Sequence, residues 1–249
     1  MTIESKTIKP ERKNIDEVRK WEKDWNLYQS SFQKRQIKQK IASYGIEISE
    51  SEWEHHFDNI RFVDQEEFKG ILESLGHVKE ELEQLSSERF AFEHLGKIYM
   101  NPVKENGRKI DIESPVVIHE VLHAVVDFFD KDYDFVRNGL YVDESSRDLG
   151  EAIIDELAYD TLYHIGDLPH MRNDIVNQLC QIIPFNEWVI ACFTNQGYIS
   201  LREKITKKFG EHGFEIIALL VQYNMVNELY EYDRTGIVKL SKKTNQAVR

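Results

Sequence analysis

The chain has 249 residues, with 44 Asp+Glu against 32 Lys+Arg and a net charge of −12. That length supports a sizeable core. The acid excess argues against a general nucleic-acid binder, which needs positive charge to meet phosphates. Two cysteines, Cys180 and Cys192, form no C-x-x-C motif and no disulfide framework, which fits a reducing compartment.

The charge is unevenly spread. Residues 1–40 carry 11 basic and 6 acidic residues, and residues 234–249 carry 5 basic and no acidic ones. The body between them holds 16 basic and 38 acidic residues. The basic ends read as solvated arms. Residues 1–18 have no apolar core, so the expectation is a cytoplasmic protein, or one exported without a cleavable signal peptide. The apolar window Phe214–Tyr230 contains Glu215, Gln222, Asn224, Asn227 and Glu228, and reads as a buried helix rather than a membrane span.

In chain order, residues 14–42 predict a charged helix with an apolar stripe of Ile15, Val18, Trp21, Trp25, Leu27 and Tyr28. The adjacent pair His55-His56 reads as surface. Ile60–Val63 predicts a short strand, and a helix follows from Asp64 or Gln65 to Leu75, stopped by Gly76. A second helix covers about Val78–Leu85. Two alternating runs, Arg89–Glu93 and Lys97–Asn101, flank His94-Leu95-Gly96 and predict a β-hairpin. From Ser114 the chain reads as almost wholly helical, over roughly 114–129, 147–165, 171–183, 185–194, 199–209 and 213–230. The fold class is α+β: a small sheet with a hairpin packed on a long helix, then a helical half. The expected divisions are 1–58 (charged helical segment), 59–130 (sheet half), 131–233 (helical half) and 234–249 (basic tail).

The chemistry-bearing stretch is Ser114-Pro-Val-Val-Ile-His119-Glu120-Val-Leu-His123, which contains H-E-x-x-H. On a helix, residues four apart point the same way, so His119 and His123 can grip one zinc ion. Glu120 can reach a water at that ion and act as general base. Ser114 suits an N-cap and Pro115 a first helical position. Apart from Glu120, Pro115–Val126 is uncharged, and a bound metal accounts for polar groups in so apolar a helix.

A third ligand is needed. Glu151-Ala-Ile-Ile-Asp155 places a glutamate and an aspartate on one helix face. Glu151 can ligate, while Asp155 can accept a hydrogen bond from the far nitrogen of a ligand histidine. Glu156-x-x-x-Asp160 overlaps this pattern, so Glu156 competes for the ligand position, with Asp155 a third possibility.

H-E-x-x-H followed by E-x-x-x-D on the next helix resembles the gluzincin metallopeptidases, and E-A-I-x-D resembles their thermolysin-like members. The resemblance covers Val116–Asp160 and an upstream strand. It implies a zincin-like fold with Zn2+ held by His119, His123 and Glu151, Glu120 as base and Asp155 behind a ligand histidine. It also implies an edge strand that pairs with extended substrate, here Ile98, Tyr99, Met100 and Asn101, and an oxyanion donor. Tyr141 is placed like the tyrosine of the thermolysin-like enzymes. His212, in a Gly-rich turn, is a second catalytic candidate, with His164 and His170 behind it. Two departures stand out: Gly150 occupies a position that is Asn in the thermolysin-like pattern, and 27 residues separate His123 from Glu151.

Residues 127–160 hold 11 acidic and 3 basic residues. The run Asp130-Lys-Asp132-Tyr-Asp134 lacks the glycine and final glutamate of a calcium loop. If the run rims the cleft, it favours basic substrates. The sequence thus predicts a zinc metallopeptidase acting on peptides or proteins, with no nucleic acid and no membrane span. The alternatives are a catalytically inactive zincin-like module that works through a protein partner, and a metal hydrolase with a non-peptide substrate.

Overall fold

The computed structural model describes residues 14–94, 97–130, 135–140, 146–163 and 174–235, with the backbone alone over 127–130 and 135–138. The architecture is α+β, mainly helical with a small mixed sheet.

The N-terminal helix is α1 (Ile15–Asp24), which passes through a π-helical turn (Trp25–Gln29) into α2 (Ser30–Ser43). Val18 and Trp25 are buried, but Leu27 and Tyr28 of the predicted stripe are exposed. The wider π turn rotates them off the apolar face. Trp21 and Trp25 each place their rings 5.4 Å from Phe62, and Trp21 Nε1 donates to Ile110 O at 3.2 Å. These contacts dock the helix on the sheet. Next, α3 (Glu50–Asp58) is capped by Ser49, whose side chain accepts from Glu52 N–H. Its His55 is exposed, but His56 is buried, contrary to the surface expectation for the pair. Burial, reinforced by His55, lowers the His56 pKa.

β1 (Ile60–Phe62) leads to α4 (Gln65–Ser74), where the Asp64 carboxylate caps Glu67 N–H at 2.9 Å. Gly76 ends this turn at φ 92°, a conformation that side chains resist. α5 (Lys79–Glu88) follows, and then the hairpin β2 (Ala91–His94) and β3 (Lys97–Met100). The sheet order is β1-β3-β2, with β1 parallel and β2 antiparallel to β3. β3 is therefore central. The edge-strand role expected of Ile98–Asn101 does not hold: Ile98, Met100 and Asn101 are fully buried, and Tyr99 pairs with both Arg61 and Phe92. Asn101 instead donates to Gln65 Oε1 at 3.0 Å and, through its backbone, to Phe90 O at 2.7 Å. Edge strands commonly carry charged and polar residues. Here Glu93 and His94 lie on β2, the strand nearest the cleft.

α6 (Val116–Val125) is shorter than predicted. The chain then forms β4 (Asp127–Asp130), where the helix was expected to run to 129, and β5 (Phe135–Asn138), where no element was expected; the two pair antiparallel. Asp127–Asp130 reads D-F-F-D, whose aromatics suit a strand as well as a helix. α7 (Arg147–Tyr163), α8 (Asp174–Ile182), α9 (Phe185–Phe193) and α10 (Asn195–Phe209) follow close to expectation. The predicted helix over 213–230 is instead two, α11 (Gly213–Gln222) and α12 (Val226–Thr235). They are separated at Asn224, whose φ of 52° no continuous helix permits.

One core runs from Trp25 to Tyr232. α6 lies within it, between β2 and β3 on one side and α7 on the other. Val117, Ile118, Val121, Leu122 and Ala124 are almost wholly buried. At about 1.5–3 kcal/mol for each large side chain, this burial holds α6 in place. α7 packs in turn against α2, α11, α8 and α9. No helix among the described residues is long and apolar enough to cross a membrane.

Candidate metal centre

Ser114 Oγ accepts from Val116 N–H at 3.4 Å, and His119 N–H donates to Pro115 O at 2.8 Å, closing the first turn of α6 with Pro115 at the N-cap, one residue after the Ser114 expected there. The four-residue spacing then brings His119 and His123 together edge to face, with ring centroids 4.6 Å apart. On α7 the same spacing aligns Glu151 with Asp155. Because α6 and α7 pack together, the two pairs face each other.

Three atoms converge between them. His123 Nε2 lies 3.0 Å from His119 Nε2 and 3.2 Å from Glu151 Oε2, and His119 Nε2 lies 3.4 Å from the same oxygen. Ligand atoms about 2.05 Å from a shared tetrahedral zinc stand about 3.3 Å apart, so the triangle has the size such an ion requires. The donor set, two imidazoles and a carboxylate, also suits zinc. Among the described residues, this is the cluster with metal-ligand spacing.

His119 Nδ1 sits 2.7 Å from Asp155 Oδ1. When that nitrogen carries the proton and donates it to Asp155, a neutral His119 turns its Nε2 lone pair toward the centre. Burial disfavours a charged His119, but hydrogen bonds to Asp155 and Glu151 outweigh it and lift its pKa to about 10. Burial likewise opposes a charged His123, and Glu151 more than offsets it. For Glu151, burial acts against the carboxylate, but the two histidines hold its pKa far below the usual range. The two histidines are thus drawn toward their charged forms and Glu151 toward its carboxylate by the same contacts.

Glu120 is 9% exposed, and burial pushes its pKa up against the pull of His119, His123 and Arg89. Glu156, the competing third ligand, is five residues past Glu151, about 140° around α7. It is buried and outside the cleft lining.

The centre opens into a cleft of about 900 Å³. Its floor is α6, through Val116, His119, Glu120 and His123; one wall is α7, through Glu151, Asp155 and Tyr159. The other wall is Arg89, Phe90, Ala91, Phe92 and Glu93, the edge of the sheet. Residues 89–93 were read only as the first half of a hairpin. The polar end of β2 was the available signal for its edge position, and the parallel return of β1 onto β3 had no sequence signature.

The other candidates are not gathered here. His212 is exposed at the N-terminal end of α11, while Gln222 at the opposite end lines the cleft, about 15 Å away along the helix. Tyr141, His164 and His170 lie outside the described residues. Of the acidic run expected to rim the cleft, Asp132, Asp134, Asp143 and Glu144 lie outside the described residues, and only the backbone is described at Asp127 and Asp130. Glu151 and Asp155 face the histidines, Asp160 pairs with Lys40, Glu156 is buried, and Asp148 stands in the cleft beside Arg147.

No protein-family model, curated protein or solved structure matches the chain.

Proposed function

We propose that this chain is a zinc-dependent metallopeptidase of gluzincin type. One observation carries the proposal: His119 Nε2, His123 Nε2 and Glu151 Oε2 converge within 3.4 Å, at the floor of a cleft shared with Glu120. These three side chains would hold the metal. Zinc bound there supplies a Lewis acid for the scissile carbonyl and lowers the pKa of a water.

The chain's own groups do the rest. Glu120 accepts the proton of the attacking water and returns it to the leaving amine. Its burial, which raises its pKa, suits a group that must act first as base and then as acid. Asp155 holds the His119 ring and its tautomer. The outer edge of β2 offers main-chain hydrogen bonds to an extended peptide, the role first expected of β3.

The test is metal content and cleavage measured together. Protein purified without chelator should carry close to one zinc and cleave a mixed peptide library. Glu120→Gln should keep the zinc and lose about 10²-fold or more in rate. Zinc below a tenth of an equivalent, unchanged in His119→Ala, would sink the proposal. Zinc retained without cleavage by either protein would indicate the non-catalytic module instead.

A further inference from the structure

Several surface cations among the described residues have carboxylate partners. Lys38 pairs with Glu50, Lys109 with Glu17 and Arg202 with Glu215, all within 2.7 Å. Arg89 differs. It is exposed, it lines the cleft with Glu120, and among the described residues its guanidinium has no hydrogen bond or ion pair.

Its backbone, by contrast, is fixed. Arg89 N–H donates to Leu85 O at 2.9 Å, closing α5, and its carbonyl accepts from Lys104 Nζ. Lys104 is itself 1% exposed, with a second bond to Ser86 O at 2.8 Å and its ammonium 4.7 Å from the Phe68 ring centroid. A buried anchor thus sets where the exposed guanidinium can reach.

That reach runs along β2. Phe90 O accepts from Asn101 N–H, so the alternation of the antiparallel ladder turns the backbone of Ala91 toward the outer edge. A peptide paired at Ala91 passes Arg89 two residues away, about 7 Å along the strand. A guanidinium fork matches a carboxylate, with two parallel charge-assisted hydrogen bonds.

We infer that Arg89 is a specificity residue, receiving a carboxylate of the substrate that lies along β2. The carboxylate is either an acidic side chain or a free chain terminus. The inference rests on the peptidase proposal. Arg89 lines the same cleft as Glu120, which places it near the proposed reacting centre.

The test uses zinc-loaded Glu120→Gln protein, so that binding is read without turnover. Fluorescent octapeptides carry Asp or Asn at each position in turn, each with a free or an amidated C-terminus. The expected result is zinc-dependent binding, with one carboxylate-bearing set about tenfold or more tighter than its amide counterpart. Asp against Asn reports a side-chain source, and acid against amide reports a terminal one. Adding Arg89→Gln should abolish that ratio and leave the affinity of the neutral peptides and the thermal midpoint unchanged. Zinc-dependent binding with equal affinity for acids and amides would overturn the role of Arg89 alone. So would a ratio that survives Arg89→Gln. Peptides that fail to bind, or bind equally without zinc, would overturn the peptidase proposal and this inference with it.

Discussion

Two regions of this protein bury charge, and they do so in opposite ways. At Lys104 a single cation is surrounded by acceptors: two backbone carbonyls and the faces of Phe68 and Phe90. Its donors point outward to partners, and the result ties the end of α5 to the start of β2. At His119, His123 and Glu151 the geometry is reversed, because side-chain atoms point inward to one point from two helices. A buried charge that satisfies itself within the chain is a structural device, whereas lone pairs converging on one point prepare a place for a cation. Burial alone does not separate the two cases, but the direction of the donors and acceptors does.

The contrast can be tested from its largest effect downward. If the triad holds zinc, metal at a thousandfold excess over its dissociation constant should stabilise the fold by about 4 kcal/mol. Thermal melts with zinc and with chelator should show this shift, and His123→Ala should remove it. Leu122→Ala, which opens a cavity at a fully buried position of α6, should cost about 2–5 kcal/mol in urea unfolding whether or not metal is added.

Lys104 gives the pH dependence. Burial, with a smaller contribution from Arg108, lowers its pKa from 10.5 to about 8. The unfolded chain therefore binds more protons between those values, and stability rises with pH across that window. The gain is about 3 kcal/mol, complete above pH 10.5 and lost as pH falls through 8. Lys104→Met should flatten that slope without changing metal content. Asp155→Ala should reduce zinc affinity about 10–100-fold, the usual cost of losing a carboxylate behind a ligand histidine, while leaving the Lys104 slope intact. Tyr28→Ser, on the exposed π turn, should change stability by less than about 0.5 kcal/mol.

The centre was more legible in the sequence than the cleft around it. His119, Glu120 and His123 are set by a local spacing within one helix, and Glu151 and Asp155 by the same spacing in another, so periodicity alone places each pair. The cleft wall depends on which strand is outermost. That is decided by a parallel pairing of Ile60 with Ile98 across two intervening helices, which no local pattern records. Which of Glu151 and Glu156 faces the two histidines depends on the orientation of α7, which places Glu151 there. The break at Asn224 and the strands after α6 were missed for a related reason. Apolar runs such as 214–221 and 127–130 are compatible with more than one backbone, and context decides between them.

The order of strands in that small sheet also bears on synthesis. β3 is the last of the three in sequence, yet it is the strand to which both others bond. A nascent chain that has emerged only as far as the β2–β3 turn carries two strands with no shared neighbour. Until Lys97–Met100 leaves the ribosome, both expose unpaired backbone, an invitation to aggregation. The wall of the cleft is thus completed by a segment that, in the finished protein, never faces it.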